Sequence, residues 1–176
     1  MKKPYLIVAT GRWGVGKTTF SQKLGNALYL PVLSRDAMKE GYVHTFGTSH
    51  EKLPDDTNKV VTDLFFDTIK HFLENNVSLV IEAAFQHKVW EFKLKELEDL
   101  ADIHVLICET DPKTAKERFI ERGLNDPHRE YFHGDKAVQD AREGKEITIT
   151  PYEAPNLSYP TMTVDTTSDY VPSVNE

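Results

Sequence analysis

Eight consecutive residues, Gly11-Arg12-Trp13-Gly14-Val15-Gly16-Lys17-Thr18, fit the pattern G-x-x-x-x-G-K-[ST] in full, and Thr19 follows them. This spacing captures a polyphosphate. Glycines at 11, 14 and 16 can take backbone angles closed to other residues, so main-chain N–H groups can turn together onto phosphate oxygens. A helix beginning near Lys17 would aim its positive end at the same anion. The Lys17 ammonium is a point charge for β- and γ-phosphates, and the Thr18 hydroxyl is a ligand for Mg²⁺. Gly11 through Thr19 is therefore the expected nucleotide-contacting stretch, with ATP and Mg²⁺ as the expected ligands.

The elements that must carry this loop alternate between strand and helix. Tyr5–Ala9 is a continuous apolar run, the mark of a parallel strand buried on both faces. The helix after the loop has Phe20, Leu24 and Leu28 as its apolar stripe. Leu30–Leu33 reads as a second strand, followed by a helix over Asp36–His44 that the Thr45–Leu53 segment interrupts. Asn58–Asn75 is the clearest helix, with Val60, Val61, Leu64, Phe65, Ile69, Phe72 and Leu73 at helical spacing. Val77–Ile81 is a third strand ending at Glu82, a helix runs over Lys88–Leu100, and Ile103–Cys108 is a fourth strand. Asp111 and Pro112 open a further helix as N-cap and first residue, and Gly123 is expected to close it. Met162–Val164 is a last short strand. Such alternation implies a three-layer α/β/α sandwich around a central parallel sheet, with the ligand at the carboxyl ends of the strands.

Composition sets the class. The chain has 176 residues, 39% hydrophobic and 28% charged, which is one ordinary globular domain. No apolar run is long enough to span a bilayer, and the five-residue run behind Met-Lys-Lys-Pro is too short for a signal peptide. The lone Cys108 excludes an internal disulfide and suits a reducing cytoplasm. Residues 1–35 hold six of the 21 basic residues and none of the 28 acidic ones, a charge of +6 against −13 for the remaining 141 residues. An acidic body argues against duplex nucleic acid, and a locally basic segment fits a small anion. Seven histidines form no cluster with zinc-ligand spacing.

Phosphate-loop proteins include switches and motors as well as kinases. No Asn-Lys-x-Asp segment is present to read guanine, and Val80-Ile81-Glu82-Ala83 lacks the paired acids of a motor ATPase. With Ser34-Arg35-Asp36-Ala37-Met38-Lys39 behind the second strand, the chain resembles the small P-loop kinases of the zeta-toxin, chloramphenicol phosphotransferase and polynucleotide 5′-kinase type. The likeness covers nearly the whole chain in order of elements. It implies a single P-loop kinase domain over 1–176, a strand order 2-3-1-4-5 and a lid at about 112–145. It also implies that Asp36 accepts the proton of an acceptor hydroxyl and Lys39, on the same helical face, steadies that acceptor. By the same likeness Glu82 supports the Mg²⁺ water shell, and Arg118 and Arg122 of Lys-Glu-Arg-Phe-Ile-Glu-Arg-Gly stabilise the transferring phosphoryl group. Val164-Asp165-Thr166-Thr167 matches the last strand and the loop beside the base; after Tyr170-Val171-Pro172 relatives often continue into a helix, so the base pocket is expected to lack that cover.

Plainer readings stand beside these. Asp36 could be a helix N-cap, Glu82 a solvated strand end, and Arg118 and Arg122 a surface face paired with Glu117 and Glu121. Trp13 could pack on a neighbouring helix or stack on the acceptor. Asp126–Asp135 is either a lid or acceptor loop, with Arg129 on a phosphate and Tyr131 or His133 on the acceptor, or an exposed connector. The expected reaction moves the γ-phosphoryl of ATP to a hydroxyl of a small molecule held between Asp36 and Thr45–Lys52. A nucleotide or nucleoside kinase and a non-catalytic ATP-binding module are the alternatives.

Overall fold

The computed structural model describes residues 2–147 and 151–175. Five strands, β1 (Tyr5–Thr10), β2 (Val32–Ser34), β3 (Leu79–Glu82), β4 (Asp102–Glu109) and β5 (Thr161–Asp165), form one all-parallel sheet in the order β2-β3-β1-β4-β5. The central strands β1 and β3 are almost wholly apolar because helices cover both of their faces.

Seven helices accompany the sheet among the described residues: α1 (Lys17–Leu28), α2 (Arg35–Phe46), α3 (Thr57–Glu74), α4 (His87–Lys95), α5 (Pro112–Asn125), α6 (Pro127–His133) and α7 (Lys136–Arg142). On one face, Phe65, Phe66, Ile69 and Leu73 of α3 and Trp90 and Leu94 of α4 pack on Leu6, Val8, Leu79 and Ile81. On the other, Phe20 and Leu24 of α1 and Ala115 of α5 pack on Ala9, Val80, Cys108 and Val164. The two clusters are the two interfaces of a three-layer sandwich. Cys108 is buried in β4, where desolvation pushes its thiol up to about 12, so it serves as a small apolar residue.

Several local expectations shift. β2 begins at Val32, because Tyr29 turns into the left-handed region and the Leu30 amide donates to the Gly25 carbonyl to close α1. Leu28 is 46% exposed, so the buried stripe of α1 ends at Leu24 and Gly25. Val60 and Leu64 likewise lie on the outer side of α3. Gly123 does not end α5. It sits inside the helix because α7 crosses there, and a Cβ at Gly123 would lie 2.5 Å from a methyl of Val138. The stretch Asp126–Asp135 is mostly helix α6, with Asp126 accepting from the His128 amide and Gly134 closing it. Past β5 the chain folds back: Asp165 and Val171 form an antiparallel bridge and Tyr170 packs against Phe20, 5.2 Å between ring centres.

The connection leaving β1 runs toward β2 and that leaving β3 runs toward β4, on opposite sides of the crevice between them. Ligands of open parallel sheets bind in such a crevice. The register puts Glu82 of β3 beside Ala9 of β1 and Ser34 of β2, at the carboxyl edge.

Candidate active site

At that edge lies a cleft of about 720 Å³. Its floor is formed by Trp13, Gly14 and Gly16 of the glycine loop and by Lys17 to Thr19 at the start of α1. Gly14 holds φ 80°, and a Cβ there would lie 1.9 Å from the Ala115 carbonyl oxygen, so the loop is pressed onto the first turns of α5. Gly16 caps α1 with φ 87°, no side chain caps the helix, and its first turn carries no acid. The first-turn amides therefore point forward without intrahelical partners, as an anion cradle requires. Gly14→Ala combines a disfavoured φ with a backbone clash; it is expected to cost about 2–4 kcal/mol and to weaken nucleotide binding, both measurable by chemical denaturation and calorimetry.

Behind the loop, Lys17 Nζ lies 3.6 Å from Glu82 Oε1. Glu82 Oε2 accepts 2.8 Å from Ser34 Oγ and 3.4 Å from Thr18 Oγ1. Glu82 is 2% exposed, so the reading as a solvated strand end is wrong. A buried carboxylate held by an ammonium and two hydroxyls fits the surroundings of a hydrated divalent ion. Among the described residues no group of three His, Cys, Asp or Glu could hold a metal alone. Mg²⁺ keeps most of its waters and takes oxygens from a bound phosphate; Thr18 and Glu82, 3.4 Å apart, are the residues that would hold it.

The next wall is α2. Its N-cap is Ser34, whose Oγ accepts from the Ala37 amide at 3.4 Å. Asp36 is therefore not the cap, and its carboxylate lines the cleft. Burial pushes the Asp36 carboxyl up, but His133, Lys17, Arg35 and Arg129 together hold it below the ordinary range, so it is ionised near neutral pH. Arg35 lies 3.6 Å from Asp36 and donates to the backbone carbonyl and side chain of Asn58 at 3.1 and 3.0 Å, which anchors α2 to α3.

The opposite wall comes from α5 to α7. Arg122, Arg129, His133 and Asp135 line the cleft, and Phe119 packs on Trp13 with 5.0 Å between ring centres. His133 Nε2 is 2.8 Å from Glu40 Oε1, and its backbone carbonyl accepts from Lys39 Nζ at 3.3 Å. These two contacts join α2 to α6. Six Lys or Arg side chains line the cleft against four carboxylates, so the cleft is locally cationic on an acidic protein. Burial first, then Arg35 and Arg129, bring the Lys39 ammonium down to about 8. Between about 8 and the ordinary 10.5 the unfolded chain binds more protons at this residue, so stability rises with pH across that window. Lys39→Met is expected to be more stable than the wild type at pH 7 by about 1–3 kcal/mol, the gap closing toward pH 10, as read by denaturant titration.

The expected site residues divide clearly. Gly14, Gly16, Lys17, Thr18, Thr19, Trp13, Asp36, Lys39, Arg122 and Arg129 line one cleft, and Glu82 lies at its base. Arg12, Gly11 and Val15 do not line it; Val15 is buried beneath the loop, where its carbonyl accepts from Thr166 Oγ1. Arg118 is also elsewhere. It donates to the Thr166 and Thr167 carbonyls at 3.1 and 2.6 Å, strapping α5 to the end of β5. No residue of Thr45–Lys52 lines the cleft, because the short 3₁₀ turn His50–Lys52 packs under α6, with Glu51 accepting from Gln139. Tyr131 points away as well. Ser34, Glu40 and Asp135 are site residues that the motifs did not single out. Of these, only Ser34 had a local signal, two residues before Asp36 at the end of a strand.

Sheet order, loop and cleft together define the fold of a small P-loop kinase of the AAA-like type. The chain belongs to the AAA domain family, whose model matches residues 6–143. No curated protein matches it. A candidate kinase from Chloroflexus aurantiacus J-10-fl is similar over 96% of this chain and 88% of its own, at 26% identity and TM-score 0.73. The APS kinase CysC of Mycobacterium tuberculosis, solved with AMPPNP and APS, is similar over 93% and 90% at 16% identity and TM-score 0.62. A gluconokinase from Sinorhizobium meliloti 1021 is similar over 99% and 90% at 19% identity and TM-score 0.56. The last two likenesses are of fold.

Proposed function

We propose that the protein transfers the γ-phosphoryl group of ATP, bound with Mg²⁺, to a hydroxyl group of a small cytoplasmic metabolite. The observation that carries this is the facing of two half-sites across one cleft: Lys17, Thr18 and Glu82 on the loop side, Asp36 and Lys39 on the other. A module that only holds ATP has no use for an ionised aspartate opposite the phosphate loop.

In this reading the first-turn amides of α1 and Lys17 hold the triphosphate, and Mg²⁺ neutralises charge on it when bound. Asp36 accepts a hydrogen bond from the acceptor hydroxyl and orients its oxygen. As the new O–P bond forms and the bond to the ADP oxygen breaks, Asp36 takes the hydroxyl proton. Arg122 and Arg129 face the same space and offset charge on the transferring group. Arg118, held on Thr166 and Thr167, keeps the loop after β5 in place beside the nucleotide. The APS kinase solved with AMPPNP supports nucleotide binding by this fold. No helix of the described residues could cross a membrane, and the buried lone thiol suits a reducing compartment.

An ADP-release screen over hydroxyl-bearing metabolites tests the proposal, with Lys17→Ala protein as the blank. One acceptor class is expected to release ADP in step with its own phosphorylation. Tight nucleotide retention with no ADP above the blank for any acceptor would make the protein a binding module. Competition by nucleoside monophosphates would make it a nucleotide kinase.

A further inference from the structure

We infer that the acceptor carries an anionic group, a phosphate, sulfate or carboxylate, which binds on Arg35, Lys39 and Arg129 about one helical turn from the hydroxyl that is phosphorylated. The inference rests on the phosphotransferase reading above and adds the substrate class to it.

Three cations, Arg35, Lys39 and Arg129, converge at the Asp36 end of the cleft, and only Arg35, which donates to Asn58, has a full anchor within the described chain. Lys39 is 5% exposed, yet its one hydrogen bond is to a backbone carbonyl at 3.3 Å, and no carboxylate lies within ion-pair distance among the described residues. The Nε atoms of Arg35 and Arg129 are buried and make no hydrogen bond within the described chain. Arg129 meets Asp135 only at 3.5 Å, and the buried Asp135 Oδ2 also lacks a hydrogen bond. Arg35 meets Asp36 at 3.6 Å, the carboxylate needed for the hydroxyl. Glu40 is engaged by His133.

Such a cluster is costly without an anion. Arg35 and Arg129 join desolvation in pulling the Lys39 ammonium down while Asp36 and Asp135 hold it up, so three cations share two carboxylates there. Holding like cations together in a cleft is the arrangement that binds phosphate, sulfate or carboxylate, with the arginines offering fork-shaped donors and the lysine a point charge. The nucleotide's own phosphates do not account for it. Lys39 and Arg35 are on α2, across the cleft from the loop, whereas Lys17 serves the triphosphate. Asp36 and Lys39 are three residues apart in α2, which separates their Cβ atoms by about 5–6 Å. The acceptor is thus compact, its anion only a few bonds from its reacting hydroxyl.

The test fills the γ-phosphate position first. Protein saturated with AMPPNP and Mg²⁺ is titrated calorimetrically with inorganic phosphate and, separately, sulfate and acetate. One equivalent of anion is expected to bind, with affinity falling at least about tenfold in Lys39→Met and in Arg129→Gln, each charge contact being worth that much or more. Lys39→Met, whose side chain is assigned to the acceptor alone, is expected to keep AMPPNP affinity within about twofold, and the ranking of the three anions identifies which group the acceptor carries. A parallel screen pairs each neutral polyol with its phosphate ester and its acid. The inference is overturned if the loaded protein binds none of the anions, if Lys39→Met leaves anion affinity unchanged, or if neutral polyols outperform their charged counterparts. Failure of AMPPNP itself to bind would overturn the phosphotransferase reading, and this inference with it.

Discussion

Lys17→Ala is expected to reduce kcat/KM by at least about a thousandfold and to weaken ATP binding, because it removes the charge that meets the β- and γ-phosphates in both the ground and transition states. The loss is expected to exceed that of an ordinary phosphate contact for a local reason. Lys17 is 7% exposed and lies beside Glu82, which is 2% exposed. Removing the ammonium leaves a buried carboxylate held by two hydroxyls, with its charge uncompensated at the place where a polyanion must bind. Steady-state kinetics and calorimetry on the folded variant check both parts. A variant that keeps ATP affinity and turnover would show that the loop does not grip the triphosphate.

Asp36→Asn separates chemistry from binding. The amide keeps the shape of the side chain but cannot accept a proton, so the rate is expected to fall by roughly two to four orders of magnitude while ATP affinity stays near normal. The opposing pulls on Asp36 sharpen the pH dependence. Burial raises its pKa, yet His133, Lys17, Arg35 and Arg129 bring it below the ordinary value, so the acid limb of the rate profile is expected below the range of a free carboxylate. Full activity of Asp36→Asn on the true acceptor would remove the base assignment.

The sequence made the loop and its sheet readable because both are local. Tyr5–Thr10 is apolar throughout, the glycines follow at once, and the positive φ at Gly14 and Gly16 shows why those positions carry no side chain. The position of Asp36 at the cleft was legible for the same reason, two residues past the end of β2. What failed was long-range. Gly123 looks like a helix stop, but an absent side chain reads the same whether it frees φ or, as here, admits Val138 of a crossing helix. Arg118 and Arg122 share a helical face by spacing, yet Arg118 meets the Thr166 and Thr167 carbonyls while Arg122 reaches the cleft. Only the position of β5 decides that. The helix α6 could have been found, since Asp126-Pro127 opens it as Asp111-Pro112 opens α5, and Gly134 closes it. Its mixture of aromatics and charges obscured those signals. The pairing of His133 with Glu40, 93 residues apart, left no trace in spacing at all.

In the proposed reaction the stretch from Gly11 to Thr18 seats a nucleoside triphosphate with Lys17 on its terminal phosphates. Calorimetric titration of AMPPNP into the wild-type protein with Mg²⁺, repeated with Lys17→Ala, reads this directly. One saturable site is expected in the wild type, weakened by at least about tenfold in the variant, a loss of about 1.4 kcal/mol or more. No heat of binding in the folded wild type, or equal affinity in both proteins, would show that the loop does not hold the nucleotide.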